Sequence, residues 1–252
     1  MKTNLQPHIQ LDQEMQAKYA ILPGDPKRVD RVKTYLTDAQ DLQFNREYKS
    51  CRGFYKGVEV VVMSTGMGAP STAIGVEELA NLGVTTMIRI GSSGALQPEL
   101  KLGELILSSS SVRDDGTSKS YVKECFPAVA DPELLMTLKT VSQKLGLTTH
   151  IGITRSHDSL YTDDNPEIYK YWQTKNVLAS DMETSILLVL GSLKKIKCAS
   201  ILNVVVEDNG NLDEINEYVT GESLTAQGER DEIILALEGI VALNQAEKNG
   251  EN

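Results

Sequence analysis

An α/β fold built on a largely buried sheet is what this sequence predicts, and three observations lead there. Short apolar runs rich in Val and Ile recur along the chain, several of them alternate with stretches of helical period, and the runs keep breaking into Gly, Ser or polar residues at their carboxyl ends. Near-continuous apolar runs are the mark of strands covered on both faces, and their carboxyl ends are where open α/β sheets bind ligands. A single domain spanning 1–252 is expected, because 252 residues with 40% hydrophobic and 24% charged content suit one large α/β core.

In chain order, strands are predicted in "KYAILPGD", "VEVVVMSTG", "TTMIRIGSSG", "GELILSSSSV", "THIGITRSHD" and "CASILNVVVED". A helix is predicted to open near Ser71 in "STGMGAPSTAIGVEELANLG". "PELLMTLKTVSQKLG" places Leu134, Leu135, Leu138, Val141 and Leu145 on one face and stops at Gly146. "ERDEIILALEGIVALNQ" does the same with Ile233, Leu237, Ile240 and Val241, and both read as core-covering helices without chemistry. "VLASDMETSILLVLG" opens with Asp181, Met182 and Glu183 and continues as a nearly all-apolar helix. The first few residues and the closing "AEKNGEN" read as mobile tails.

Composition removes several classes of function. A net charge of -10 leaves no broad basic face for a nucleic-acid backbone, although a small anion needs only a few local cations. Cys51, Cys125 and Cys198 are far apart and form no CxxC, so neither a disulfide framework nor a zinc site is expected. His8, His150 and His157 lack metal-binding spacing. With no apolar h-region at the start and no run of membrane-spanning length, the expectation is a soluble cytoplasmic protein that does not bind membranes.

Four stretches carry candidate chemistry, each with a plain structural alternative. "LPGDPKRV" is either a tight turn capped by Asp25 with a solvated arginine, or a backbone donor at Gly24 beside a phosphate ligand at Arg28. The Gly66–Gly68 turn lacks both the Walker A lysine and the last glycine of GxGxxG. It serves either close strand-to-helix packing or an anion at a helix start. In "TTMIRIGSSGALQP" a cation sits inside a buried run, so Arg89 has either a core carboxylate or an anionic ligand as its partner, with Ser92 and Gly94 at hand. Asp181 and Glu183 either cap a helix or, at Glu183, accept hydrogen bonds from a polyol.

Taken together, "LPGDPKRV", "FNREYKS", "STGMGAPSTAIGVEEL", "RIGSSGALQP", "SVRDDGTS", "FPAVAD" and "SDMETS" resemble the nucleoside phosphorylase family, which spans uridine phosphorylases and hexameric purine nucleoside phosphorylases. The resemblance runs in order from about residue 8 to the last helix and is closest to the bacterial uridine phosphorylase branch. It implies a single α/β domain with a mixed, partly closed central β-sheet flanked by helices. The implied activity is pentosyl transfer in nucleoside salvage: phosphorolysis of a nucleoside, uridine favoured, to free base and ribose 1-phosphate. A purine nucleoside phosphorylase, a water-using nucleosidase and a non-catalytic nucleoside-binding protein are the alternatives. The resemblance also implies a homo-oligomer, a dimer or a trimer of dimers.

Residue by residue, it implies that Gly24, Arg28, Arg89 and Ser92 hold phosphate and that Arg46 reaches the same phosphate from the neighbouring subunit. Glu183 takes the ribose hydroxyls, Met182 packs under the sugar, and His8 of the neighbour meets the 5′-hydroxyl. No cofactor is required beyond phosphate as co-substrate; Glu47 and Ser71 match positions that hold a potassium ion in some members. The base pocket departs from the family. Asp164 and Pro166 stand where bacterial uridine phosphorylases carry Gln-x-Arg, with Leu160 and Tyr161 before them. The purine branch's aspartate position falls within Val204 to Val206, so Glu207 or Asp208 reaches it only if the strand carries a bulge.

Overall fold

The apolar runs become the strands of one mixed sheet in the computed structural model, which describes residues 5–15, 17–208, 210 and 223–250. In chain order the elements are β1 (Tyr19–Pro23), α1 (Pro26–Lys33), β2 (Thr37–Asn45), β3 (Tyr48–Tyr55), β4 (Val58–Met63), α2 (Ala69–Asn81), β5 (Thr86–Ala95) and β6 (Leu105–Asp114). There follow α3 (Gly116–Tyr121), β7 (Ala128–Val129), α4 (Pro132–Leu145), β8 (Thr149–His157), α5 (Asn165–Gln173), β9 (Ala179–Asp181), α6 (Thr184–Lys194), β10 (Lys197–Val206) and α7 (Leu224–Asn249).

Strand pairing explains the partial closure. β10 pairs with both β5 and β6, β6 with β8, β8 with β9, and β9 back with β5, so these strands form a ring without a free edge. From β5 the sheet continues outward through β1, β4 and β3 to β2, which forms an open edge. The run β10–β5–β1–β4 is parallel, so all its strands end on the same side of the sheet. β10 does carry an irregularity: its register against β5 shifts between Val204 and Val206.

Strand alternation sends successive side chains to opposite layers. Met87 of β5 joins Ala69, Val76 and Leu79 of α2 and Ile186–Leu190 of α6, whereas Ile88 and Ile90 join Val29 of α1, Leu134 and Leu138 of α4, and Ile233 and Ile240 of α7. Arg89 therefore leaves β5 toward α6. That helix is buried all round from Thr184 to Gly191, as its apolar sequence requires.

Some expectations need correction. Leu145 is 39% exposed and Leu135 only partly buried, so the covering face of α4 is Leu134, Leu138 and Val141. Residues 246–249 form the last turn of α7 rather than a tail, while residues 1–4 and 251–252 lie outside the described residues. Among the described residues no helix is long and apolar enough to cross a membrane, and burial pushes the Cys51 thiol up to about 12.

The ends of α4 follow their sequence signals: Asp131 accepts from Leu134 N at 2.9 Å, Pro132 opens the helix, and Gly146 closes it at φ 69°. Asp131→Ala is expected to lower stability by about 1 kcal/mol, or about 2–4 °C in Tm, without altering activity. Urea unfolding of the variant checks this.

Candidate active site

The shared carboxyl edge of the parallel strands gathers the candidate residues from distant parts of the chain. Thr65 N donates to Pro23 O and Gly66 N to Gly24 O, which ties the end of β4 to the end of β1. Gly66 has φ +71°, and a Cβ there would lie 2.7 Å from Glu47 Cγ, so only glycine fits this turn. The next glycine, Gly68, presents its N–H to the centre of the site, 2.5 Å from Glu183 Oε1.

Arg89 answers one half of the question its sequence raised: core carboxylates are its partners. Its Nε donates to Asp181 Oδ2 at 3.0 Å and its Nη2 to Glu183 Oε2 at 2.5 Å. Its Nη1 is buried and has no hydrogen-bond partner among the described residues. Carboxylates thus hold two corners of the guanidinium, and the third keeps its capacity for an anion. Gly91 makes room for this fold-back, since a Cβ there would lie 2.5 Å from Nη2. Burial opposes the charge of Arg89, but Glu183 and Asp181 outweigh it and raise its pKa above the ordinary value.

The two acids before α6 divide the roles that sequence left open. Asp181 is the cap: its Oδ2 accepts from Thr184 N at 3.0 Å and from Thr184 Oγ1, and its Oδ1 accepts from Ser156 Oγ at 2.6 Å. Glu183 occupies the N-cap position of α6 but makes no capping bond. It faces the β-edge instead, 5% exposed, and burial raises its carboxyl above the usual range against the pull of Arg89. A carboxylate offers about four acceptor positions; Gly68 and Arg89 fill two, which leaves capacity for neighbouring hydroxyls. Met182 between them is half-buried.

Arg28 is 3% exposed, so the solvated-arginine alternative is excluded, although Asp25 does cap α1 through Lys27 N. Its Nη2 lies 3.3 Å from Ser92 Oγ, its Nη1 3.3 Å from Ile90 O, and its Nε 2.9 Å from Glu229 Oε2. Glu229 also pairs with Arg31, and Glu232 Oε1 lies 3.2 Å from Arg28 Nη1. These acids on α7 escaped the sequence reading, yet a signal was there: Glu229 and Glu232 share the stripe of Ile233 and Ile240, and carboxyls on a buried stripe need cationic partners.

The remaining candidates lie at the periphery. Arg46 is exposed at the tip of the β2–β3 hairpin with φ +56°, a left-handed conformation that a non-glycine residue adopts at some cost. His8 is half-exposed, and Glu78 holds it through Nδ1 at 2.6 Å and through the backbone N–H groups of His8 and Ile9. Ser71 Oγ lies 2.5 Å from both Glu47 Oε1 and Thr65 O, an all-oxygen set, and its hydroxyl holds the Glu47 carboxyl below the ordinary range. On the base side, Tyr161 is 83% exposed and Asp164 is exposed at the start of α5, so the structure does not draw them into the buried cluster. Despite the bulge, Glu207 turns to Leu102 N and Lys101, and Asp208 accepts from Gln173 Nε2 at 2.9 Å.

Two buried arginines at a parallel-strand edge, one with an unfilled donor beside an inward-facing carboxylate, define a site for an anion together with a hydroxyl-bearing ligand. The family model described as the phosphorylase superfamily matches residues 18–232, and the chain belongs to that superfamily. It is 39% identical over 233 residues to the uridine phosphorylase of Thermococcus kodakarensis, covering 86% of this chain and 84% of that protein. The crystal structure of uridine phosphorylase from Vibrio fischeri superposes with a TM-score of 0.89 at 41% identity over 96% of this chain and 99% of that one. That of purine nucleoside phosphorylase from Toxoplasma gondii superposes with a TM-score of 0.87 at 30% identity, over 97% and 98% of the two chains.

Arg89→Ala strips two buried carboxylates of their partner, so the variant is expected to lose about 3–5 kcal/mol of stability. Adding Glu183→Gln should return part of the loss, because one orphaned charge goes with it. Urea denaturation of the single and double variants checks both.

Proposed function

We propose that this protein is a nucleoside phosphorylase, a pentosyltransferase that cleaves uridine in preference to purine nucleosides and releases base and ribose 1-phosphate. The observation that carries the reading is the unfilled Nη1 of Arg89, buried beside Glu183, in a chain whose relatives carry that activity in their names. Gly24, Arg28, Ser92 and Arg89 hold phosphate at the strand edge. Glu183 orients the ribose through its remaining acceptor positions, with Met182 against the sugar.

The reaction follows from that placement. As the C1′–N bond lengthens, its electron pair moves to the base and positive charge grows on the ribose, where a phosphate oxygen held close by stabilises it and then bonds to C1′. The departing base takes up a proton, balanced by the one that monohydrogen phosphate gives up as its oxygen bonds to C1′. Arg89 keeps phosphate anionic and placed, while its bonds to Asp181 and Glu183 fix the guanidinium plane.

Arg46 and His8 complete the site of a neighbouring subunit in this reading, which accounts for an exposed arginine held in a left-handed turn. The oxygen set of Glu47, Ser71 and Thr65 suits a hard monovalent cation such as potassium at the same junction. Tyr161, Asp164 and Asp208 are the base-side candidates, and with Gln-x-Arg missing, uracil is held more loosely than in enzymes that keep the pair.

Two outcomes are expected. At saturating phosphate, kcat/KM falls in the order uridine, then inosine and adenosine, and base release stops when phosphate is removed. A purine preference that collapses in Asp208→Asn or Glu207→Gln would reassign the base and leave phosphorolysis standing; equal release without phosphate would make the protein a hydrolase. Separately, mixing inactive Arg46→Ala and Glu183→Ala chains should restore activity through hybrid sites, read after proven subunit exchange.

A further inference from the structure

Four buried carboxyl groups, Asp181, Glu183, Glu229 and Glu232, face the arginines Arg28, Arg31 and Arg89 at the strand edge, with the half-exposed Asp25 also paired to Arg31. Were all four ionised, an incoming phosphate would meet a pocket already negative, in surroundings where water screens little. One of them is therefore expected to be neutral, and it is the one whose charge is least supported by donors. Asp181 accepts from Arg89, Ser156 and Thr184, Glu183 from Gly68 and Arg89, and Glu229 from Arg28 and Arg31. Glu232 differs. It is 0% exposed, lies 3.2 Å from Arg28 Nη1, and neither carboxyl oxygen has a hydrogen bond of good geometry among the described residues.

We propose that Glu232 is a positioning residue for phosphate: it stays protonated beside Arg28 while phosphate is bound, and on losing its proton it draws the guanidinium charge back and weakens phosphate binding. The proposal rests on the reading of Arg28 and Arg89 as phosphate ligands. The charged groups facing Glu232 are Arg28 from α1, Arg89 from β5 and Glu229 from its own helix. Burial pushes its carboxyl up to about 8 and Glu229 adds to the rise, while the two arginines and the backbone N–H of Gly91 oppose it. A bound phosphate adds negative charge nearby and raises the value further, so binding above pH 8 draws a proton from solution. Glutamine keeps the shape and neutrality of the protonated acid, so Glu232→Gln mimics the binding-competent form at every pH.

Calorimetric titration of inorganic phosphate into the nucleoside-free enzyme, between pH 7.5 and 9.5 and in two buffers of different ionisation enthalpy, tests this. In the unmodified protein Kd should hold steady to about pH 8 and then rise, approaching tenfold per pH unit, with uptake of about one proton per phosphate. Glu232→Gln should bind phosphate with a flat Kd and no proton uptake. A pH-independent Kd without proton uptake in the unmodified protein overturns the proposal, even if the variant does not fold. So does a Glu232→Gln variant that keeps the rise. Absence of phosphate binding at any pH overturns instead the phosphate reading on which the proposal stands.

Discussion

A guanidinium in the middle of a buried parallel strand is the constraint around which this molecule is arranged. Arg89 cannot reach water, so its charge has to be met inside the protein, and β9 and the start of α6 supply the partners. Asp181 serves two needs at once, capping α6 and gripping Nε of Arg89. The helix that seals one layer of the core is thereby locked to the strand that carries the site. Fold stability and site geometry share the same bonds.

The second constraint is direction. Because β10, β5, β1 and β4 run parallel, backbone ends separated by up to some 180 positions in sequence meet on one edge. Helices on both layers then bring side chains to that edge: α1 delivers Arg28, α7 delivers Glu229 and Glu232, and the α6 entry delivers Glu183. The ring of strands fixes the ends of β10 and β5, and the backbone bonds from Thr65 to Pro23 and from Gly66 to Gly24 tie β4 to β1.

Sequence made the central strands legible because they are covered on both faces, which leaves long Val and Ile runs such as those of β1, β4 and β10. It did not reveal the β2–β3 hairpin as strand: β2 is mostly exposed and lacks an apolar face, and β3, though largely buried, has Lys49, Ser50 and Arg52 breaking its apolar run. Nor did it reveal β7 and β9, which are two and three residues long. Of the site, Arg89, Glu183, Gly24 and Arg28 could be singled out, since charge or glycine beside an apolar run is conspicuous. The acids on α7 could not be assigned, because Glu229 lies 201 positions from the arginine it holds. Local pattern reports that a buried carboxyl needs a partner, but not which one.

The outer edge at β2 has a further meaning. A strand with unpaired backbone groups is a template on which another chain can add. Here the ring removes such edges from the barrel, while β2 carries Asp38 and Asp41, amides at Gln40 and Gln43, and two breaks in its register with β3. Like charges and an uneven ladder make a second copy a poor fit along that line. The strand that closes the sheet thus discourages its own extension, and the same acidic and amide side chains that deny it an apolar face keep a second backbone from settling along it.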